Sequence, residues 1–257
     1  MKDTGVGVLS QPKPFRYTSS EETINLVVDY ILPQRRDVNY QDMISPETRV
    51  VAFGERHTAF AQIDELIKNM QLFKEMGFTH LLLEYFSIDM QKDLDNYFEA
   101  KEGSAKEWLY SILIDTAFRL RFPKYPYPNR VMELLEAAKR KGIRPIALEG
   151  NYTEPRWYWQ DSDKAYVAKK ILESDGNNKI LSLTGSSHIN EDLRGGNYSF
   201  VGRLRASGYA VTAIFILEKY DRNALAEEVE YGGYGIMVPS QYSELLLYEA
   251  IYADLPL

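Results

Sequence analysis

Cysteine is absent from this 257-residue sequence. That excludes a disulfide framework, a thiolate nucleophile and any cysteine-ligated metal. Histidine is scarce, with three in all: His57, His80 and His188. Basic residues are outnumbered 37 to 30, which leaves a net charge of −7. Such a balance disfavours nucleic acid as a partner, because phosphate binding wants a basic face. No window approaches the roughly 18–20 apolar residues of a membrane span. Residues 1–20 are polar, carry Pro12 and Pro14, and lack both the apolar core of a signal peptide and a lipobox cysteine. The expectation is a cytoplasmic protein, or a secreted effector with no signal peptide.

The hydrophobic share of 45% and charged share of 26% are those of an ordinary globular chain. The 19 tyrosines supply apolar area with a polar tip, which suits pockets and interfaces. The reading is one α/β domain over 1–257, with an arm at 1–20, a core at 48–217 and an extension at 218–257. Short apolar runs at 49–53, 80–84, 144–148, 179–183 and 210–217 predict strands. Helices are expected at 21–32, 58–76, 87–100, 104–120, 130–141, 161–174, 200–206 and 241–252. Thr58 and the Ser104–Glu107 box are N-terminal signals, while Gly77 and Gly142 are stops. Residues 122–129 predict a loop and 221–240 irregular chain, with Gly232–Gly235 as a bend. Strands that alternate with helices, and run apolar without alternation, indicate a mainly parallel sheet flanked by helices.

Two segments repeat one pattern. Residues 50–57 read Val-Val-Ala-Phe-Gly-Glu-Arg-His, and residues 180–188 read Ile-Leu-Ser-Leu-Thr-Gly-Ser-Ser-His. Each is an apolar run, then Gly, two polar residues and His. Ligands of open parallel sheets bind beyond the carboxyl ends of the strands. There the sequence places Glu55, Arg56 and His57; Glu84 and Tyr85; Glu149; and Ser187 and His188. His57, His188, Glu55, Glu84 and Arg56 are therefore the candidate catalytic residues. Glu149, Tyr85, Ser187, Tyr125 and Tyr127 are candidates for holding a ligand, and Trp157-Tyr-Trp159 flanks the same edge. His80 opens a strand, at the far end of the sheet, and is read as structural. Two chemistries fit. Histidine with a carboxylate activates water while Arg56 stabilises an oxyanion. Alternatively, His57, His188, Glu55 and Glu84 offer nitrogen and oxygen ligands to a divalent metal such as zinc, manganese or cobalt. Glycine before each histidine permits a tight turn and close approach of a ligand.

Phe-Gly-Glu-Arg-His, Leu-Leu-Leu-Glu-Tyr-Phe, Ile-Ala-Leu-Glu and Leu-Thr-Gly-Ser-Ser-His, in that order, resemble the superfamily of erythromycin esterases, ChaN-type haem-binding proteins and TIKI proteases. The resemblance covers roughly residues 48–217 and implies an α/β core with these motifs at one sheet edge. The TIKI-like members imply metal-dependent peptide hydrolysis through His57, His188 and Glu55 or Glu84. The esterases imply metal-free hydrolysis through Glu55, His57 and Glu84. The ChaN-like members imply haem held by a tyrosine. Related domains also occur inside bacterial toxins, which implies an effector with a degenerate site as a further reading. Many relatives carry an arginine near the start of the helix before the second motif. Here that stretch reads Asp161-Ser-Asp163, so one polar partner of the usual site is expected to be missing. The function expected is a hydrolase of a small molecule or peptide. The alternatives are a haem or small-ligand binder and a toxin-like effector.

Overall fold

A computed structural model describes residues 36–37, 39–55, 61–100, 104–119, 127–150, 157–189, 198–217, 234–237 and 246–249. In chain order the elements are β1 (Arg36–Asp37), α1 (Tyr40–Met43), β2 (Val50–Glu55), α2 (Ala61–Glu75) and β3 (His80–Ser87). A 3-10 turn (Ile88–Met90) leads into α3 (Gln91–Glu99), α4 (Ser104–Arg119), α5 (Tyr127–Arg140) and β4 (Arg144–Glu149). Then come α6 (Trp157–Ser174), β5 (Ile180–Gly185), α7 (Ser186–Ile189), α8 (Phe200–Ala206), β6 (Val211–Leu217), β7 (Tyr234–Met237) and β8 (Leu246–Glu249).

Among the described residues the strands form one sheet, ordered β1-β8-β7-β6-β2-β5-β3-β4. Every pairing from β7 through β4 is parallel, whereas β8 runs antiparallel to β7 and to β1. The expected α/β class with a mainly parallel sheet is the one observed. Strand alternation sends side chains to two apolar layers. Val51, Phe53, Leu81, Leu83 and Leu181 pack with Leu66, Met70 and Phe73 of α2 and Leu135 of α5. Val50, Ala52, Leu82 and Ile180 pack on the opposite face with Ala165, Ala168 and Leu172 of α6 and Phe200 and Leu204 of α8. Both faces are covered, so the strands read as continuous apolar runs. Gly77 and Gly142 follow α2 and α5 at φ +89° and +63°, the left-handed geometry that ends a helix.

Several boundaries differ from expectation. β3 continues past Glu84 to Ser87, with a register shift against β4. The stretch read as a loop to 129 is already helical from Tyr127. Pro128 permits this because a first-turn residue has no intrahelical N–H bond to lose. Helix α6 starts at Trp157 rather than 161, so Trp157-Tyr-Trp159 forms its first turn. Residues 234–237, inside the stretch read as irregular, form β7, which lies between β6 and β8. The helix expected at 241–252 is wrong at 246–249, where β8 pairs with β7. An apolar run such as Leu245-Leu-Leu-Tyr248 suits either state, and pairing with a neighbouring strand overrides helix propensity. The arm at 1–20, the helix at 21–32 and the Thr58 cap lie outside the described residues.

Candidate functional site

Strands β3, β4 and β5 are parallel, so Glu84, Glu149 and Thr184 come out at the same edge. Alternation places Glu84 on the side of Leu82, and Thr184 on the side of Ser182. That is the side covered by α6. Helix α6 turns Asp161 and Lys164 inward on the same stripe as Ala165, Ala168 and Leu172. The next element after β5 is the short α7, which carries His188.

These residues make one hydrogen-bonded cluster. Lys164 Nζ donates to Glu84 Oε1 at 3.0 Å and to Glu149 Oε2 at 2.9 Å. His188 Nε2 lies 3.1 Å from Glu84 Oε1, and its Nδ1 lies 2.7 Å from Asp161 Oδ1. The other oxygen of Glu84 accepts from the Thr184 hydroxyl and from the Gly185 backbone N–H. Side-chain exposure is 1% at Lys164 and 0% at Asp161, against 27% at Glu149. The cluster is therefore buried at α6 and opens outward at Glu149.

The charge states follow from these contacts. Burial pushes the Glu84 carboxyl up, but the His188 hydrogen bond, the Lys164 and His188 charges and the Thr184 hydroxyl override it. Glu84 is held well below the usual carboxylate range. Burial pushes His188 down, and the hydrogen bonds to Asp161 and Glu84 more than reverse that, raising it to about 9. Burial likewise opposes the charge on Lys164, yet Glu84 and Glu149 raise it. Glu149 is raised by burial and by its neighbour Glu84, against the pull of Lys164. At neutral pH the cluster thus holds an ammonium, an imidazolium and an ionised Glu84.

Glu84, Glu149 and His188 are brought together as the sequence pattern suggested. Ser187 is half-buried on α7 beside His188. Tyr85 points to the other face of the sheet and packs in the core with Phe86 and Leu94. The backbone of Glu55 ends β2 in register with Gly185, the residue whose N–H holds Glu84. The side chains of Glu55 and Tyr127, and the whole of Arg56, His57 and Tyr125, lie outside the described residues. His80 stands at the opposite end of β3, half-buried, with Nδ1 2.8 Å from the Thr79 hydroxyl. Gly54 also packs closely against α7. A Cβ there would fall 2.6 Å from Ile189 Cδ1 and 3.2 Å from Ser186 Cα, so a side chain at this position would make Ile189 rotate and α7 give by a few tenths of an ångström.

Three members of the cluster were not expected: Asp161, Lys164 and Thr184. Asp161 occurs where the resemblance led us to expect a missing partner, and Lys164 supplies the cation one turn further along. A metal does not fit the part of the expected ligand set that is described, Glu84 and His188; Glu55 and His57, its other members, lie outside the described side chains. Both ring nitrogens of His188 face carboxylates, and an ammonium sits between Glu84 and Glu149. Among the described residues no group of three or more His, Asp or Glu is arranged to hold an ion. Nor is any described helix long and apolar enough to cross a membrane.

No protein-family model and no curated protein matches the sequence. Among solved structures, the chain is similar to the type III effector HopBA1, with a TM-score of 0.50 and 12% identity over 66% of this chain and 77% of that one. It is similar to a bacterial protein toxin, with a TM-score of 0.51 and 18% identity over 67% of this chain. It spans only 34% of that toxin's length. The haem-bound ChaN of Campylobacter jejuni superposes at a TM-score of 0.39 and 13% identity, over 79% of this chain and 89% of that one, too loosely to carry an argument. At these identities the first two likenesses establish a shared α/β fold and nothing of activity.

Proposed function

We propose that this chain is a hydrolase of the toxin-effector type, in which the cluster at the carboxyl edge of the sheet orients water against an ester or amide of a small molecule or peptide. The observation that carries this reading is Glu84. It is a carboxylate kept ionised by two buried cations, a hydroxyl and a backbone N–H, at the sheet edge where parallel α/β proteins bind ligands. Perturbed groups gathered at such an edge mark a candidate functional site.

The roles divide by charge state. His188 is an imidazolium at neutral pH, so it does not accept a proton from water. It donates to Glu84 and Asp161 and holds Glu84 in place. The base is then His57, which follows Glu55 by two residues in the first repeat of the motif. Arg56 would stabilise the oxyanion formed on attack. Glu149, at the open side of the cluster with a side chain 27% exposed, would meet the substrate. The fold shared with a type III effector and a toxin favours a secreted effector as the setting.

The test is a panel of p-nitrophenyl esters and a peptide library, incubated with the protein in 18O-labelled water and analysed by mass spectrometry. Cleavage with label in the acid product, lost in His57→Ala, is expected. No cleavage across the panel would contradict the reading. A Soret band in the protein as purified would favour haem binding instead.

A further inference from the structure

We propose that Lys164 stands where a hydrolase of this layout would hold a divalent metal, and that the cluster takes up no such ion while Lys164 is present. Two carboxylates on adjacent parallel strands, Glu84 and Glu149, converge on one point beside an imidazole, His188. Two oxygens and one nitrogen are a donor set that zinc or manganese accepts. The Lys164 ammonium is at that point, with a side chain 1% exposed. Its contacts of 3.0 and 2.9 Å are ammonium–carboxylate distances, roughly 0.8 Å longer than the ~2.1 Å of a zinc–oxygen bond. The carboxylates are thus spaced for nitrogen.

Position in α6 explains why the ammonium stays. Lys164 follows Asp161 by three residues, so one helix face delivers both the cation for Glu84 and the anion for His188. Asp161 draws His188 Nδ1–H, which leaves Nε2–H to donate to Glu84 rather than a lone pair to bind an ion. For a metal to enter, the ammonium would have to leave and the His188 ring would have to turn from Asp161 or Glu84. A site built this way works without metal supply and resists chelators.

The inference deepens the hydrolase reading but is read by metal content, so the two fail separately. Tag-free protein is stripped with EDTA, dialysed and titrated calorimetrically with Zn²⁺ and with Mn²⁺, for wild type, Glu149→Gln, Lys164→Met and Lys164→Met/Glu149→Gln. The wild type is expected to show no equivalent of metal that depends on Glu149. Lys164→Met is expected to gain one equivalent, at least tenfold tighter than any wild-type binding, with a metal-dependent rise in melting temperature. The double variant is expected to lose it. Should Lys164→Met not fold, Lys164→Gln replaces it, and the wild-type titration against Glu149→Gln decides by itself. One equivalent in wild type that Glu149→Gln abolishes overturns the proposal. So does a folded Lys164→Met that gains none.

Discussion

Replacing His188 by asparagine should remove a pH dependence that can be sized from the structure. The imidazole ring is 8% exposed and lies between Asp161 and Glu84, with Lys164 as the opposing cation. Its pKa is raised from 6.5 to about 9, which at 1.36 kcal/mol per pH unit corresponds to about 3 kcal/mol of native stability. The sign follows from the direction. A group raised above its unfolded value contributes fully below the unfolded pKa, and the contribution is lost as pH climbs through the folded one. Wild-type stability should therefore fall by about 3 kcal/mol, relative to His188→Asn, between pH 6 and pH 9.5. Differencing removes groups common to both proteins, including His80. Burial and the Arg144 charge lower its pKa, which acts in the opposite sense. Urea denaturation followed by tryptophan fluorescence gives both curves without the salt that guanidinium would add. A wild-type-minus-variant difference that stays flat to within about 1 kcal/mol, or that widens with pH, would refute the assigned hydrogen bonds.

Two further outcomes follow from placement. His80→Ala should leave hydrolysis within about twofold of wild type, because His80 opens β3 four residues before Glu84, roughly 13 Å away along the strand. A selective loss of activity with the fold intact would contradict that placement. Gly54→Ala should destabilise the protein by about 1–3 kcal/mol through overpacking against Ile189 and the Ser186 backbone. It should also reduce activity, because α7 carries His188. A melting temperature equal to wild type's would show that α7 yields without cost.

Much of the central sheet can be read directly from the sequence. The runs that became β2, β3, β4, β5 and β6 send buried apolar residues to both faces, and that burial is written as nearly continuous apolar stretches. Their polar ends, Glu84, Glu149 and the Gly-x-x-His unit of His188, are legible for the same reason. Asp161 and Lys164 are harder to see, because charged residues on a helix normally mark its solvated face. The available signal was the stripe itself. Asp161, Lys164, Ala165, Ala168 and Leu172 share one face, and the small alanines show which face is inside. Thr184 was legible only as the member of β5 that shares Glu84's side. Strands β7 and β8, towards the β1 side of the sheet, depend on pairing between segments remote from the site, which local pattern does not encode. The sequence also suggested that both motif histidines face an open crevice. His188 instead lies in the buried part of the cluster, with both ring nitrogens facing carboxylates.

The central claim is that Glu84, held by Lys164 and His188, serves hydrolysis. It is tested most directly by the ratio of kcat/KM between wild type and Glu84→Gln on one cleaved substrate, with melting temperatures measured alongside. Glutamine keeps the shape of the side chain but not its charge, and the Lys164–Glu149 and His188–Asp161 contacts remain available to hold the fold. A fall of about 100-fold or more, the low end of what correctly positioned acid–base catalysis contributes and so of what losing its orienting carboxylate costs, in a variant that still melts cooperatively is the result the account predicts. A folded Glu84→Gln that turns over like wild type would make the cluster a purely structural ion network and contradict the account.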